Sequence, residues 1–200
     1  AGEAIDKKYA AVWVNDVILA AIKRTGKNPL VFLRSWFLNL EDAKKIVGSY
    51  PGLFIESKYN VEMVADTLMD PGNKDWAALT GNLVVNIHMA GNLEPFRWNP
   101  PLYIQKCVRS AFNGGGNGLQ LYTRKSWRWP DVSEVGSGDV QWIRDELWFM
   151  MWGRYSWNCN RDENTEKNYW RQYLEFKYGS SAAAEHFLNA FEAGADLLPA

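Results

Sequence analysis

The chain contains little cysteine and little histidine, two of each among 200 residues. Cys107 and Cys159 have none of the close spacings that structural zinc ligands show, so we predict no metal site. A disulfide bond between these two residues is possible on the sequence alone. No motif indicates a bound cofactor either, and we expect the protein to work without one.

An excess of charge of one sign is missing too, since 22 basic residues stand against 23 acidic ones. This balance gives no general attraction to nucleic acid or anionic lipid, and we predict neither as a partner. Long apolar runs are absent, because even Met150-Met151-Trp152 is flanked by charged residues. The first residues do not resemble a secretion signal, so we expect any such signal to lie upstream or to have been removed.

Two common catalytic motifs are also missing. The glycine run from Gly114 to Gly118 precedes a predicted strand and lacks the Gly-Lys-Ser/Thr ending of a phosphate-binding loop. We interpret the run as the end of a helix. No Gly-x-Ser-x-Gly segment occurs, which argues against a serine hydrolase.

Aromatic residues are plentiful, with 11 Trp, 9 Tyr and 9 Phe. Tryptophan packs in cores, but its face also stacks on sugar rings and nucleobases. We expect most of these side chains to be structural. Those that follow predicted strand ends are better candidates for a binding site: Trp36, Trp98, Trp127 and Trp129.

Four short apolar runs end in charged and aromatic residues, as parallel strands buried on both faces do. They start at Leu30, Leu53, Leu83 and Leu119 and alternate with helix-like segments. The first helix is predicted over Asp6–Arg24, where Tyr9, Val12, Trp13, Val17, Ala20 and Ala21 have the spacing of one helical face. After the fourth strand three further helices are predicted, with Asn164 or Thr165 as the expected N-cap of the second.

This order predicts an α/β fold in which parallel strands alternate with helices, a (β/α) barrel or half-barrel with a helical C-terminal tail. Residues 1–139 would hold the four strand and helix units and residues 140–200 the tail. Four strands cannot close a barrel. We therefore expect a partner that covers the sheet edges, either a missing N-terminal half of the barrel or a second copy of the chain.

Three glutamates lie on or after predicted strand ends, where such barrels carry their chemistry: Glu56, Glu62 and Glu94. Glycoside hydrolysis needs two carboxyl groups about 5 to 10 Å apart. Burial at the end of an apolar run would favour the protonated form of Glu56, which could then act as the general acid. Pairing with Arg34 or Lys58 would instead make it a fixed carboxylate, and the sequence leaves both open.

Other side chains near the same ends suit sugar binding. Basic residues there could pair with the carboxylate of an acidic sugar or neutralise local acids, and His88 and Asn86 could bond to hydroxyls. The predicted substrate-binding residues are Arg34, Trp36, Lys58, Asn86, His88, Arg97, Trp98, Tyr122, Arg124 and Trp127. Each also has a purely structural reading as a core residue or an ion pair.

The C-terminal region carries a spaced pattern of glycine, arginine, tryptophan and asparagine residues: Gly153, Arg154, Trp157, Asn158, Trp170 and Gly179. This pattern resembles the end of the catalytic barrel in the α-glucuronidases that debranch xylan. Lys58-Tyr59-Asn60-Val61-Glu62 is similar to a Lys-Tyr-Gly segment that precedes a catalytic acid there, which implies such a role for Glu62. The resemblance also implies a periplasmic or extracellular location and the C-terminal half of a TIM-barrel enzyme.

The sequence thus favours a glycoside hydrolase, or part of one, that acts on a complex and acidic polysaccharide through carboxylate acid/base catalysis. A carbohydrate-binding domain that keeps the aromatic residues without the acid pair is one alternative. A half-barrel with a purely structural role is another.

Overall fold

The computed structural model describes residues 7–60, 66–88, 100–122 and 139–194. The first helical stretch comprises α1 (Lys7–Trp13), a π-helical segment (Val14–Leu19) and α2 (Ala20–Arg24). The alternating part comprises β1 (Phe32–Arg34), a 3-10 turn (Ser35–Phe37), α3 (Leu40–Ser49), β2 (Phe54–Lys58), α4 (Asn73–Thr80), β3 (Leu83–His88), α5 (Pro101–Asn113) and β4 (Gly116–Tyr122). Three helices follow: α6 (Asp139–Trp157), α7 (Glu163–Tyr178) and α8 (Ser181–Gly194).

The four strands form one parallel sheet in the order β1-β2-β3-β4. Phe32 is level with Phe54 across the first pair, and Ile55 is level with Leu83 across the second. Sequential strands that lie side by side with helical connections confirm the predicted α/β class. Three buried aliphatic side chains, Ile55, Leu83 and Val85, form the apolar face of the sheet.

Some boundaries differ from the prediction. β4 begins at Gly116 rather than Leu119, because glycines in the run are extended and only Gly115 has a positive φ, of 94°. The N-cap of α7 is Asp162, whose carboxylate accepts a bond from the Thr165 amide at 2.9 Å, and not Asn164 or Thr165. Asp at this position stabilises the first turn of a helix because it satisfies an amide that has no partner within the helix.

The described residues form two compact units. The first contains the described parts of Ala1–Tyr59, Asp70–Asn86 and Phe112–Gln120. Its helix α3 begins after the N-cap Asn39, whose side chain accepts a bond from the Asp42 amide at 2.8 Å. Helix α3 touches both α1 and α4, so these three helices lie in a row.

The second unit contains the described parts of Asn60–Met69, Ile87–Ala111 and Leu121–Ala200. Its core holds three tryptophans with almost no exposed surface, Trp148, Trp152 and Trp170. These three tryptophans are core residues of this unit. The indole N–H of Trp170 donates to the Tyr155 hydroxyl at 2.8 Å. No disulfide joins Cys107 and Cys159, and both thiols are buried.

A buried ion pair fixes α6 against α7 in this unit. Arg154 donates from Nε and Nη2 to the two carboxylate oxygens of Glu166 at 2.6 and 2.8 Å, and Glu166 has no exposed surface. This hydrogen bonding raises the pKa of Arg154 above its ordinary value. The ring of Tyr169 covers the guanidinium at 3.5 Å. Arg154, one of the residues that resembles the α-glucuronidase pattern, therefore has a structural role here.

Among the described residues, no helix is both long enough and apolar enough to cross a membrane.

We predict that Glu166→Gln lowers the free energy of unfolding by about 3 kcal/mol, because it leaves the Arg154 charge, which is only 20% exposed, without its buried partner. Glu175→Gln on the same helix is the matched control. Its ion pair with Arg171 is partly exposed, with 3.8 Å between the atoms, so we expect a loss of less than about 0.5 kcal/mol. Urea denaturation followed by circular dichroism measures the unfolding free energy of both variants. Equal losses would contradict the structural role assigned to the pair of Arg154 and Glu166.

Candidate functional site

The candidate site lies where the parallel strands end, since their carboxyl ends meet at one edge of the sheet. Arg34 on β1 is level with Glu56 on β2, and Lys58 on β2 is level with Asn86 on β3. Side chains two residues apart on a strand point to the same face. Glu56 and Lys58 therefore share a face, and the register brings Arg34 and Asn86 beside them.

Glu56 is at the centre of this group. Its side chain is 10% exposed and accepts a charged hydrogen bond from Arg34 Nε at 3.0 Å. The amide nitrogen of Asn86 donates to the same oxygen, Oε1, at 3.0 Å. Of the two alternatives that the sequence left open, pairing with Arg34 is the one observed. Glu56 is a fixed carboxylate whose charge is balanced within the sheet.

A fourth strand contributes Gln120, a residue that the sequence analysis missed. With its amide nitrogen turned toward Glu56, Gln120 donates to Oε2 at 2.7 Å and lies 3.2 Å from Oε1. In the opposite orientation the Gln120 oxygen would accept a longer bond from the Asn86 amide at 3.3 Å but would face a carboxylate oxygen of Glu56 at 2.7 Å, so the bonds to Glu56 favour the first assignment. Gln120 is polar between Leu119 and Leu121, and this alternation was the available signal.

Asn86 is 1% exposed, yet its carbonyl oxygen Oδ1 has no hydrogen-bond donor within the described part of the chain. The orientation of this amide is fixed, because its nitrogen must face Glu56. Buried polar atoms are normally satisfied, and an exception often marks a place where a water or a ligand binds. Asn86 therefore presents an unused acceptor next to the central carboxylate.

Trp36 lies beside this group on the 3-10 turn that follows β1. The ammonium of Lys58 is 4.4 Å from its ring centroid, and the guanidinium carbon of Arg34 is 5.3 Å away. Cations over an aromatic face are attracted by its quadrupole and hold the ring in place. Trp36 nevertheless remains 52% exposed. Burial, and then the nearby charge of Arg34, lower the pKa of Lys58 below its ordinary value.

Hydrogen bonds fix the backbone on which these side chains stand. The Ser35 hydroxyl donates to the Ser57 hydroxyl at 3.1 Å and links the ends of β1 and β2. Asn73, which is 2% exposed, donates from its side chain to the carbonyl of Lys58 at 2.8 Å. The strand end that carries Glu56 and Lys58 is therefore held from two sides.

The structure brings together five of the residues predicted from sequence: Arg34, Trp36, Glu56, Lys58 and Asn86. His88 and Tyr122 are the last residues of β3 and β4, as their strands require, but their side chains lie outside the described part. The remaining predicted site residues are outside the described residues: Glu62, Glu94, Arg97, Trp98, Arg124 and Trp127. Within the described ranges, no cluster of three or more His, Cys, Asp or Glu side chains could hold a metal ion.

A solved structure superposes on nearly the whole of this chain. It is described as a GH138 enzyme targeting pectin rhamnogalacturonan II, and the superposition has a TM-score of 0.84 and 29% sequence identity. The match covers 99% of this chain and 31% of the GH138 enzyme, so the chain spans less than a third of that protein. No protein-family model matches the chain, and no curated protein sequence does.

The chain thus has the fold of a segment of a glycoside hydrolase. The narrower prediction of an α-glucuronidase is not supported by this comparison, because the similar structure is assigned to a different family.

The lowered pKa of Lys58 predicts a pH dependence of stability. The unfolded chain keeps the proton on this lysine up to pH values near 10.5, whereas the folded chain releases it at lower pH. The unfolded state then binds more protons, so the contribution of Lys58 to stability rises as pH increases through this window.

We therefore expect the wild type to gain stability relative to Lys58→Met as the pH rises toward 10.5. Lys58→Arg is the control, because its guanidinium keeps its charge over this range. The difference in unfolding free energy between Lys58→Arg and Lys58→Met should therefore not change with pH. Chemical denaturation at a series of pH values measures the differences. A wild-type curve parallel to that of Lys58→Arg would show that the ammonium is not destabilised.

Proposed function

We propose that the chain forms part of a glycoside hydrolase that acts on a complex, acidic polysaccharide. The observation that carries this proposal is the group of Arg34, Glu56 and Asn86 with Trp36 beside it, at the carboxyl end of a parallel sheet. The chain's similarity to a segment of a glycoside hydrolase supports it. A carboxylate, hydrogen-bonding groups and an exposed aromatic ring are the components that sugar recognition and cleavage require.

Glu56 suits the role of the ionised carboxylate in such a pair. Its oxygens accept hydrogen bonds from a guanidinium and from amide groups, which hold the carboxylate in one position. The proton donor would then be a second carboxyl group, which we assign to Glu94 or Glu62 on the strength of their sequence positions. Asn86 would add an acceptor for a substrate hydroxyl through its unpaired Oδ1.

Trp36 and its neighbouring cations suit an acidic sugar. The exposed part of the indole offers an apolar surface to the C–H groups of a sugar ring. Lys58 and Arg34 place positive charge beside that surface, where a sugar carboxylate would find it. The other predicted binding residues would complete the site, namely His88, Arg97, Trp98, Tyr122, Arg124 and Trp127.

Pectin is the substrate class that we propose, because the similar GH138 enzyme is described as targeting pectin rhamnogalacturonan II and pectins are acidic. An enzyme would encounter a large polysaccharide such as pectin outside the cytoplasm, so we propose a periplasmic or extracellular location. A carbohydrate-binding domain without catalysis is the second candidate function. It is favoured by the same Trp36 platform and needs no second carboxyl group.

We expect Glu56→Gln to lower the turnover of pectic oligosaccharides by about 100-fold or more while the dissociation constant changes little, since the substitution removes charge and keeps shape. Glu94→Gln should behave in the same way if it supplies the proton. Glu41→Gln on the exposed face of α3 is the control. Hydrolysis assays and isothermal titration calorimetry give the two readouts, and unchanged hydrolysis in both test variants would remove the catalytic assignment. Binding without any turnover in the wild type would favour the binding domain.

Replacement of Trp36 by Ala should weaken binding of pectic oligosaccharides about tenfold, the loss expected for one stacking surface. Trp157→Ala is the matched control, because Trp157 is 87% exposed at the end of α6 and is not one of the candidate site residues. Calorimetric titration of both variants with the same oligosaccharide compares them. Equal affinities would place the binding site elsewhere.

A further inference from the structure

The N-terminal helical stretch exposes apolar side chains that the sequence pattern would assign to a packed face. Val12, Trp13 and Val17 are 55, 50 and 48% exposed, whereas Ala10, Ala11 and Leu19 are buried. We call the three exposed residues the α1 stripe. Proteins that function alone rarely leave such neighbouring large apolar side chains in water, and exposed patches of this kind commonly mark contact surfaces.

The α1 stripe belongs to the end of the fold that carries β1. Both α1 and the π-helical segment contact α3, and α3 contacts α4 in turn. The helix that follows β1 thus lies between α1 and the helix that follows β2. The row of helices runs in the same order as the strands, so α1 stands at the β1 end of the row. Asn15, which accepts a bond from the Ser49 hydroxyl at 2.7 Å, fixes this position.

The strand at that end is an edge of the sheet formed by the described residues. Phe32 on β1 is 55% exposed and Leu30, just before it, is 74% exposed. Edge strands that end a sheet in solution are usually protected by charge, proline or a covering segment. Phe32 lies on the same face of the sheet as Arg34 and stacks on Phe54, with 4.8 Å between the ring centroids, so its exposed part belongs to that face of the edge strand. The edge strand and the α1 stripe therefore both leave apolar surface exposed at the β1 end of the fold.

We propose that the β1 edge and the α1 stripe together bind a further strand and helix unit, in which a strand pairs parallel to β1 and an apolar helix packs on Val12, Trp13 and Val17. The comparison supports this occupant, because the segment of the GH138 enzyme that matches this chain is 31% of a longer polypeptide. A second copy fits less well. Two β1 edges related by a two-fold axis perpendicular to the sheet would pair antiparallel, whereas a strand that precedes β1 in a repeated strand and helix unit would continue the parallel pairing observed between β1, β2 and β3. This proposal concerns assembly and does not depend on the proposed function.

A chimera tests it. The matching segment of the GH138 enzyme is replaced by this chain, and Val12→Lys/Val17→Lys is introduced both into the chimera and into the isolated chain. We expect the double variant to lower the melting temperature of the chimera by at least about 5 °C and that of the isolated chain by less than about 1 °C. Phe176→Lys is the control, since Phe176 is 89% exposed on α7. This variant should change the melting temperature of both proteins by the same small amount.

Hydrogen exchange of the isolated chain gives an independent test if the chimera does not fold. The proposal requires that the chain is monomeric in sedimentation experiments and that the amides of Phe32–Arg34 exchange at least about tenfold faster than those of the inner strand β3. Slow exchange of β1 in the monomer would overturn the proposal. So would a dimer that the double lysine variant dissociates, because the occupant would then be a second copy. Equal melting shifts in chimera and isolated chain would overturn it as well.

Discussion

The candidate site depends on the need to compensate one buried negative charge. A carboxylate with a tenth of its surface exposed is stable only if other groups replace the water that it has lost. For Glu56 these groups come from three other strands: Arg34 from β1, Asn86 from β3 and Gln120 from β4. The parallel register puts them within reach, so the hydrogen bonding of the carboxylate and the geometry of the sheet determine each other.

Much of the fold could be predicted from the sequence because its signals are local. The apolar runs located the four strands of the described residues, and Gly26, Gly52 and Gly81, which have positive φ values of 67°, 85° and 65°, lie at turns or helix ends. The errors arose where local signals compete. Asp162 and Thr165 both suit an N-cap, and only the observed bond between them identifies Asp162. The expected division of the chain between residues 139 and 140 stays a prediction.

The candidate site was harder to predict because it depends on contacts between distant segments. Their location near the ends of predicted strands was enough to select four site residues: Glu56, Arg34, Lys58 and Asn86. It could not show that Glu56 pairs with Arg34, because that pairing depends on which residues are level across two strands. Gln120 was missed for a related reason: it is an ordinary polar residue whose role exists only through its neighbour on another strand. The roles of the glutamates outside the described residues also stay predictions.

Glu56 and the polar groups around it come from four successive strands, and this limits the changes in chain length that the protein can tolerate. An added or deleted residue in a connecting loop does not change which side chains of the next strand point to each face of the sheet. The same change inside β2 or β3 would turn every later side chain of that strand to the other face. Glu56 would then exchange places with Ile55 or Ser57, and a charge would enter the aliphatic layer. Natural or engineered length variation should therefore accumulate between the strands and be excluded within them.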